Sequence, residues 1–249
     1  MKDISFQRVL FLLFFLAPTF ATVACAQTIA YGLDTHIWVM DVQTRQKFMI
    51  IDPPGEPHDF VDTLVWSSDK KTIAARIKGD IWLADVPSRK SRVLIRANHQ
   101  PFSGTPAWSK DGKYLYVGRN LYDDGDADGG LWQINVQNGE SHRIIQPESV
   151  DWPIHNQPCV SADGHYLISC DQIDGATSFY AIDLRSNKPI TLPHQQIFKY
   201  VIHYSFDKYC KMLLLGAVAD NDPFENGPGG VWQWDLITNT CSPWILYGL

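Results

Sequence analysis

The 249-residue chain lacks a basic excess, since 21 Lys and Arg stand against 27 Asp and Glu, a formal net charge of −6. Nucleic acid, which is bound through clustered cations, is excluded as the main partner, and an anionic membrane surface is disfavoured for the same reason. Short catalytic motifs are missing as well. The chain has no Gly-x-Ser-x-Gly, no His-Glu-x-x-His, no glycine loop of the phosphate-cradling kind and no Cys-x-x-Cys. That removes enzymes with a local signature, whereas sites assembled from distant loops leave no such trace. Cysteine is scarce at five, and the spacing of Cys159, Cys170, Cys210 and Cys241 fits no zinc ribbon. Long helices are disfavoured because 15 Pro and 17 Gly interrupt the chain throughout. What is abundant is aromatic: 9 Trp, 10 Tyr and 12 Phe. An all-β protein is the class this balance predicts.

The longest apolar run stands at the N-terminus. Lys2 and Arg8 precede Val9–Ala17, Pro18 ends the run, and Ala24-Cys25-Ala26 supplies the small residues read at a cleavage site. Residues 1–26 therefore read as a secretory signal peptide cut before Gln27, because the run is about half of the roughly 20 residues needed to span a bilayer. A lipoprotein acylated at Cys25 is the weaker reading, Thr22 standing where a lipobox has Leu. Residues 27–249 are expected to form one domain, periplasmic or secreted, with no later transmembrane segment. In an oxidising compartment the four remaining cysteines can pair in three ways or stay as buried thiols.

A repeat organises this remainder. His36-Ile-Trp-Val-Met-Asp41, Asp80-Ile-Trp-Leu-Ala-Asp85, Gly130-Leu-Trp-Gln-Ile-Asn135, Ser178-Phe-Tyr-Ala-Ile-Asp183 and Gly230-Val-Trp-Gln-Trp-Asp235 share one pattern, recurring every 44 to 52 residues. A second pattern precedes four of them: Trp66-Ser-Ser-Asp-Lys70, Trp108-Ser-Lys-Asp-Gly112, Val160-Ser-Ala-Asp-Gly164 and Tyr204-Ser-Phe-Asp-Lys208. Such a period, with several short strands per unit, is that of propeller blades. Each unit reads as four antiparallel strands, a to d from the inside outward. The Ser-x-Asp-Gly segment turns strand a into b, and the Asp closing strand c caps the turn into d. Lys70 and Lys208 stand where Gly fits the left-handed turn position, so strain is expected there. Strand c is apolar at successive positions, as in Ile37-Trp38-Val39-Met40, which requires both faces of each sheet to be covered. Blades stacked face to face satisfy this, with Trp38, Trp82, Trp132 and Trp232 expected between neighbours. The boundaries predicted are about 28–51, 60–95, 104–145, 157–192 and 200–246, the first supplying only b, c and d. In the fourth unit Cys159 and Cys170 fall on strands a and b, where they are expected nearly opposite and able to form a disulfide.

These two motifs together resemble the WD40-like repeat of TolB-type β-propellers over nearly all of residues 28–246. The resemblance implies a propeller, of which this family usually has six or seven blades, whereas the units counted here make a small one of about five, closed as a ring or completed by a second copy. It also implies a periplasmic scaffold that binds a protein or peptide of the cell envelope without catalysing a reaction. Oligogalacturonate lyases carry related blades and hold a divalent metal with propeller histidines, so the alternative is a metal-dependent carbohydrate-active enzyme. His58, His99, His155 and His194 all fall in connections between strand d of one blade and strand a of the next, at one mouth of the channel. The partner surface is expected on those connections, at His58, Asp59, His99, Trp152, His155 and Lys199, since loops carry recognition while strands serve the core. The loop Asp124-x-Asp126-x-Asp128-Gly129 spaces three carboxylates as a calcium turn does. Asn135 stands where an EF-hand loop needs Glu, and a plain Asp/Gly hairpin tip is the favoured reading.

Overall fold

Turn chemistry divides the chain into short strands before any packing acts. The computed structural model describes residues 28–34, 36–54, 61–97, 102–119, 129–145, 156–173, 176–190, 198–206, 212–219, 229–235 and 240–247. Every regular element among them is a strand. The first sheet holds β1 (Thr28–Leu33), β2 (His36–Asp41) and β3 (Lys47–Ile51). The second holds β4 (Val61–Trp66), β5 (Thr72–Ile77), β6 (Asp80–Asp85) and β7 (Lys90–Ile95). The third is β8 (Phe102–Trp108), β9 (Tyr114–Arg119), β10 (Gly130–Asn135) and β11 (Ser141–Ile145). The fourth is β12 (Asn156–Val160), β13 (Tyr166–Ile173), β14 (Ala176–Asp183) and β15 (Lys188–Ile190). The fifth is β16 (Phe198–Phe206), β17 (Met212–Ala219), β18 (Gly229–Asp235) and β19 (Thr240–Tyr247). Each is an antiparallel meander in chain order, the first one strand short, and each packs on the next.

Two recurrent turns fix the meander. At the a–b turns, the buried hydroxyls of Ser67, Ser109 and Ser161 donate to Asp69, Asp111 and Asp163 at 2.6, 2.7 and 2.6 Å. The same oxygens accept the amides of Thr72, Tyr114 and Tyr166 across the turn. The fifth turn position is left-handed in all three, with φ of 59° at Lys70, 71° at Gly112 and 77° at Gly164. Lys70 thus carries the strain that its sequence position predicts. At the c–d turns, Asp41, Asp85, Asn135 and Asp183 each accept backbone amides two or three residues on, as Asx turns do.

The sheets bury both faces because alternate residues of one strand serve two neighbours. Ile73, Ala75 and Ile77 of β5 join Ile37, Val39, Ile50 and Ile51 in a core between the first and second sheets. Ala74, on the other face of β5, joins Leu83, Phe102, Trp108, Leu115, Val117 and Ile134 between the second and third. Tyr116 and Leu131 continue the pattern towards Leu167 of the fourth. The strand c indoles lie differently from expectation. Trp38, Trp82, Trp132 and Trp232 are only half-buried, while Ile37, Ile81 and Leu131 just before the first three are fully buried. In four sheets the register to strand d shifts opposite this pair, with Ile50, Leu94, Ile144 and Trp244 as the extra residues of strand d. Strand c itself alternates, with Ile37 and Val39 buried on one face and Trp38 between them on the other, less covered one.

Across β12 and β13 the register sets Cys159 against Ile168 and Cys170 against Asn156. The two cysteines are thus diagonal neighbours rather than directly opposite. The register is set at the a–b turn, where Val160 faces Leu167, so that Cys159 meets Ile168.

Candidate binding rim

Antiparallel order sends the connections to two opposite rims. The a–b and c–d turns form one, here the turn rim; the b–c and d–a connections form the other, the loop rim. All the loop residues predicted to bind belong to the loop rim. His58, Asp59, His99, Trp152 and His155, and Asp124, Asp126 and Asp128, lie outside the described residues. Lys199 is the second residue of β16, at that rim. Among the described residues no group of three His, Cys, Asp or Glu is placed to hold a metal ion.

What the structure does place on the loop rim is a set of paired charges at strand ends. His36 Nε2 lies 3.0 Å from Asp52 Oδ1, tying the start of β2 to the end of β3. Asp80 does the same one sheet later, accepting from the Ala97 amide at 2.7 Å and from Arg96 at 3.2 Å. Arg76 Nη1 reaches Asp62 at 3.8 Å and donates to the Phe102 carbonyl at 3.1 Å, crossing from the second sheet to the third. Arg119 lies over the rings of Phe102 and Trp132, 4.6 and 5.2 Å from their centroids, as cation–π pairs do. A backbone joint recurs beneath them, with Val61 N–H donating to Asp34 O and Phe102 N–H to Gly79 O. Motif reading missed Arg76 and Arg119 because they sit inside apolar strand runs. Aligning the repeats shows no common signal for them, since the ends of the three strands read Gly32-Leu33, Arg76-Ile77 and Gly118-Arg119 and the two arginines fall at different positions.

The turn rim is built for folding. The Ser67 hydroxyl and Lys71 amide hold the Asp69 carboxyl below the usual carboxylate range against a smaller opposing effect of burial. At Asp111 and Asp163 burial is the largest single influence and pushes upward. The Ser109 and Ser161 hydroxyls, with the Lys113 and His165 amides, together outweigh it and leave both below the usual range. Arg185 and its backbone amide bring Asp183 down to about 2.

No family model matches the chain, and no curated protein matches its sequence. Solved structures do match. TolB from Acinetobacter baumannii superposes with a TM-score of 0.62 at 16% identity, over 89% of this chain and 53% of that one. The architecture is a β-propeller. A putative TolB from Agrobacterium tumefaciens gives 0.58 at 13% identity over 86% of this chain and 70% of its own. The tricorn protease gives 0.62 at 12% over 88% and 25%. The propeller thus spans about half the length of the first of these chains, and at such identities the likeness is one of fold. No helix among its described residues is long and apolar enough to cross a membrane.

Proposed function

We propose that the chain is a TolB-like propeller exported to the cell envelope, where it binds a protein or peptide on its loop rim without catalysing a reaction. The observation that carries this reading is the superposition on TolB over 89% of the chain. The loop rim supports it: the sheets hold paired charges and a cation–π cluster at the strand ends that the d–a connections join in sequence. On this reading His58, Asp59, His99, Trp152, His155 and Lys199 meet the partner.

Crosslinking from the native envelope, read by mass spectrometry, tests it. Substituting His99 and Trp152 together should reduce the yield of one reproducible partner several-fold while the melting temperature stays unchanged. An unchanged yield would remove this surface. Bound metal in the purified protein, with unsaturated product from acidic oligosaccharides, would instead establish the carbohydrate-active alternative. The Asp124, Asp126 and Asp128 turn is tested separately by calorimetric titration with calcium, and we expect neither heat nor a melting shift. Mass analysis of the exported protein should place its first residue at Gln27.

A further inference from the structure

Among the described residues, the first sheet has no strand at the inner edge, where each of the other sheets has one. β1 holds the b position, because its register matches that of β5. Thr28, Ile29 and Tyr31 face Asp41, Met40 and Trp38, as Thr72, Ile73 and Ala75 face Asp85, Ala84 and Trp82. β5 has β4 on its inner side, whereas β1 pairs only with β2 among the described strands. Exposure follows the difference. Ile29 and Leu33 are 44% and 54% exposed, while Ile73 and Ile77 at the same positions are 0% and 1%.

A groove of about 310 Å³ runs beside this edge, walled by Gly32 and Asp34 on one side and by Val61, Asp62, Thr63 and Leu64 of β4 on the other. Two polar groups of β4 find no hydrogen-bond partner among the described residues. Thr63 Oγ1 is buried and finds no partner among the described residues. The second is the Trp66 indole. One sheet further on, Trp108 Nε1 donates to the Val65 carbonyl at 3.2 Å, joining the inner strand β8 to the preceding inner strand β4. Trp66 sits in β4 where Trp108 sits in β8, opposite Ile73 and Leu115 respectively. Its Nε1 has no acceptor among the described residues, since no described inner strand precedes β4.

We propose that this groove takes an extended, basic peptide segment of another protein, which adds to the free edge of β1 as an antiparallel fourth strand and presents a backbone carbonyl to Trp66 Nε1. Main-chain bonds to β1 provide affinity, and side-chain pockets at alternate positions provide selection, as in other β-augmentation. Charge complementarity sets the chemistry of the segment. Asp34 and Asp62 line the groove, and Asp62 is held only loosely by Arg76 at 3.8 Å. A Lys or Arg in the incoming strand meets them, with apolar residues facing Val61 and Leu64. The inference deepens and rests on the reading of a peptide-binding propeller, but it uses none of the loop residues assigned above.

The test titrates a fluorescein-labelled synthetic peptide, Val-Lys-Thr-Leu-Val-Trp, into the full chain and follows anisotropy. This probe copies β4 with Lys in place of Asp. Saturable binding is expected, and Trp66→Phe should weaken it about five-fold, the change that a net hydrogen bond near 1 kcal/mol produces. Trp66→Phe should lower the urea midpoint less than Trp108→Phe, because both variants lose ring packing against a core but only Trp108 also loses a hydrogen bond of the free protein. Trp108→Phe, which removes a ring from the neighbouring core, should leave peptide affinity unchanged, and this separates a docking role from a packing one. Absence of saturable binding, or equal binding by the Trp66 variant, overturns the proposal. So does a dimer that excludes the peptide, which assigns the edge to a second copy, or binding that appears only after residues 1–26 are removed. Loss of partner crosslinking in the His99/Trp152 variant with no peptide binding sinks this inference alone; the converse result sinks the loop-rim surface alone.

Discussion

Ser109 shows how much one small residue settles in this fold. Its hydroxyl both donates to Asp111 at 2.7 Å and accepts the Tyr114 amide at 2.9 Å, in a site closed to water. Ser109→Ala leaves a buried amide unpaired and frees the carboxylate, so a loss of about 1–3 kcal/mol is expected in urea denaturation. Lys70 gives the opposite sign. With φ at 59° it occupies a conformation that costs a side chain roughly 1–2 kcal/mol, and Lys70→Gly should recover about 1 kcal/mol by the same measurement. The turn carboxylates also set an acid limit. Asp41, Asp69, Asp85, Asp111, Asp163 and Asp183 all have folded pKa values below their unfolded ones. Between those values the unfolded chain binds more protons. The stability they contribute is therefore complete above about pH 4 and is lost as pH falls, for Asp183 through about 2. Urea midpoints should fall steeply from pH 4 to pH 2, and Asp183→Asn should flatten that slope.

At the scale of elements, neighbouring sheets are joined at a few points that the strands themselves do not announce. Arg76 is the clearest, reaching from β5 to the Phe102 carbonyl while facing Asp62. Arg76→Met keeps the bulk but leaves that carbonyl without its donor, and a loss of about 1–2 kcal/mol is expected, read as a lower urea midpoint. The residues that could be found from sequence are those whose work is local. The Ser-x-Asp turns and the closing Asp of strand c act within five residues of themselves, so their chemistry shows in spacing, and five sheets with a three-stranded first one follow. The Arg76 and Arg119 contacts join residues 13 to 26 apart in the chain, inside apolar runs, and spacing holds no record of them. Cys159 and Cys170 are expected nearly opposite, and pairing counted from the a–b turn instead sets Val160 against Leu167 and Cys159 against Ile168, which makes the cysteines diagonal.

Across the whole molecule, stability should behave as a chain of nearest-neighbour contacts rather than as one pooled core. β5 and β6 show why, because each divides its side chains between two interfaces. Ile73 and Ala75 face the first sheet and Ala74 the third; Ala84 faces the first and Leu83 the third. A side chain in one interface therefore shares no neighbours with a side chain in the other, although both border the same strands. Repeat architectures with this property sum interface energies along the stack. Ile37 lies fully buried between the first and second sheets, and Ile134 fully buried between the second and third. Ile37→Val and Ile134→Val should each cost about 0.5–1.5 kcal/mol, and the double variant should lose their sum to within about 0.5 kcal/mol. Ile37→Val with Ile73→Val forms the contrast, since both side chains border one interface and the second truncation acts on a site already relaxed by the first. Urea unfolding of the five variants measures both cycles. Equal coupling in the two would mean that the sheets share a continuous core, and the stacked arrangement could not then explain why successive residues of a single strand are all apolar.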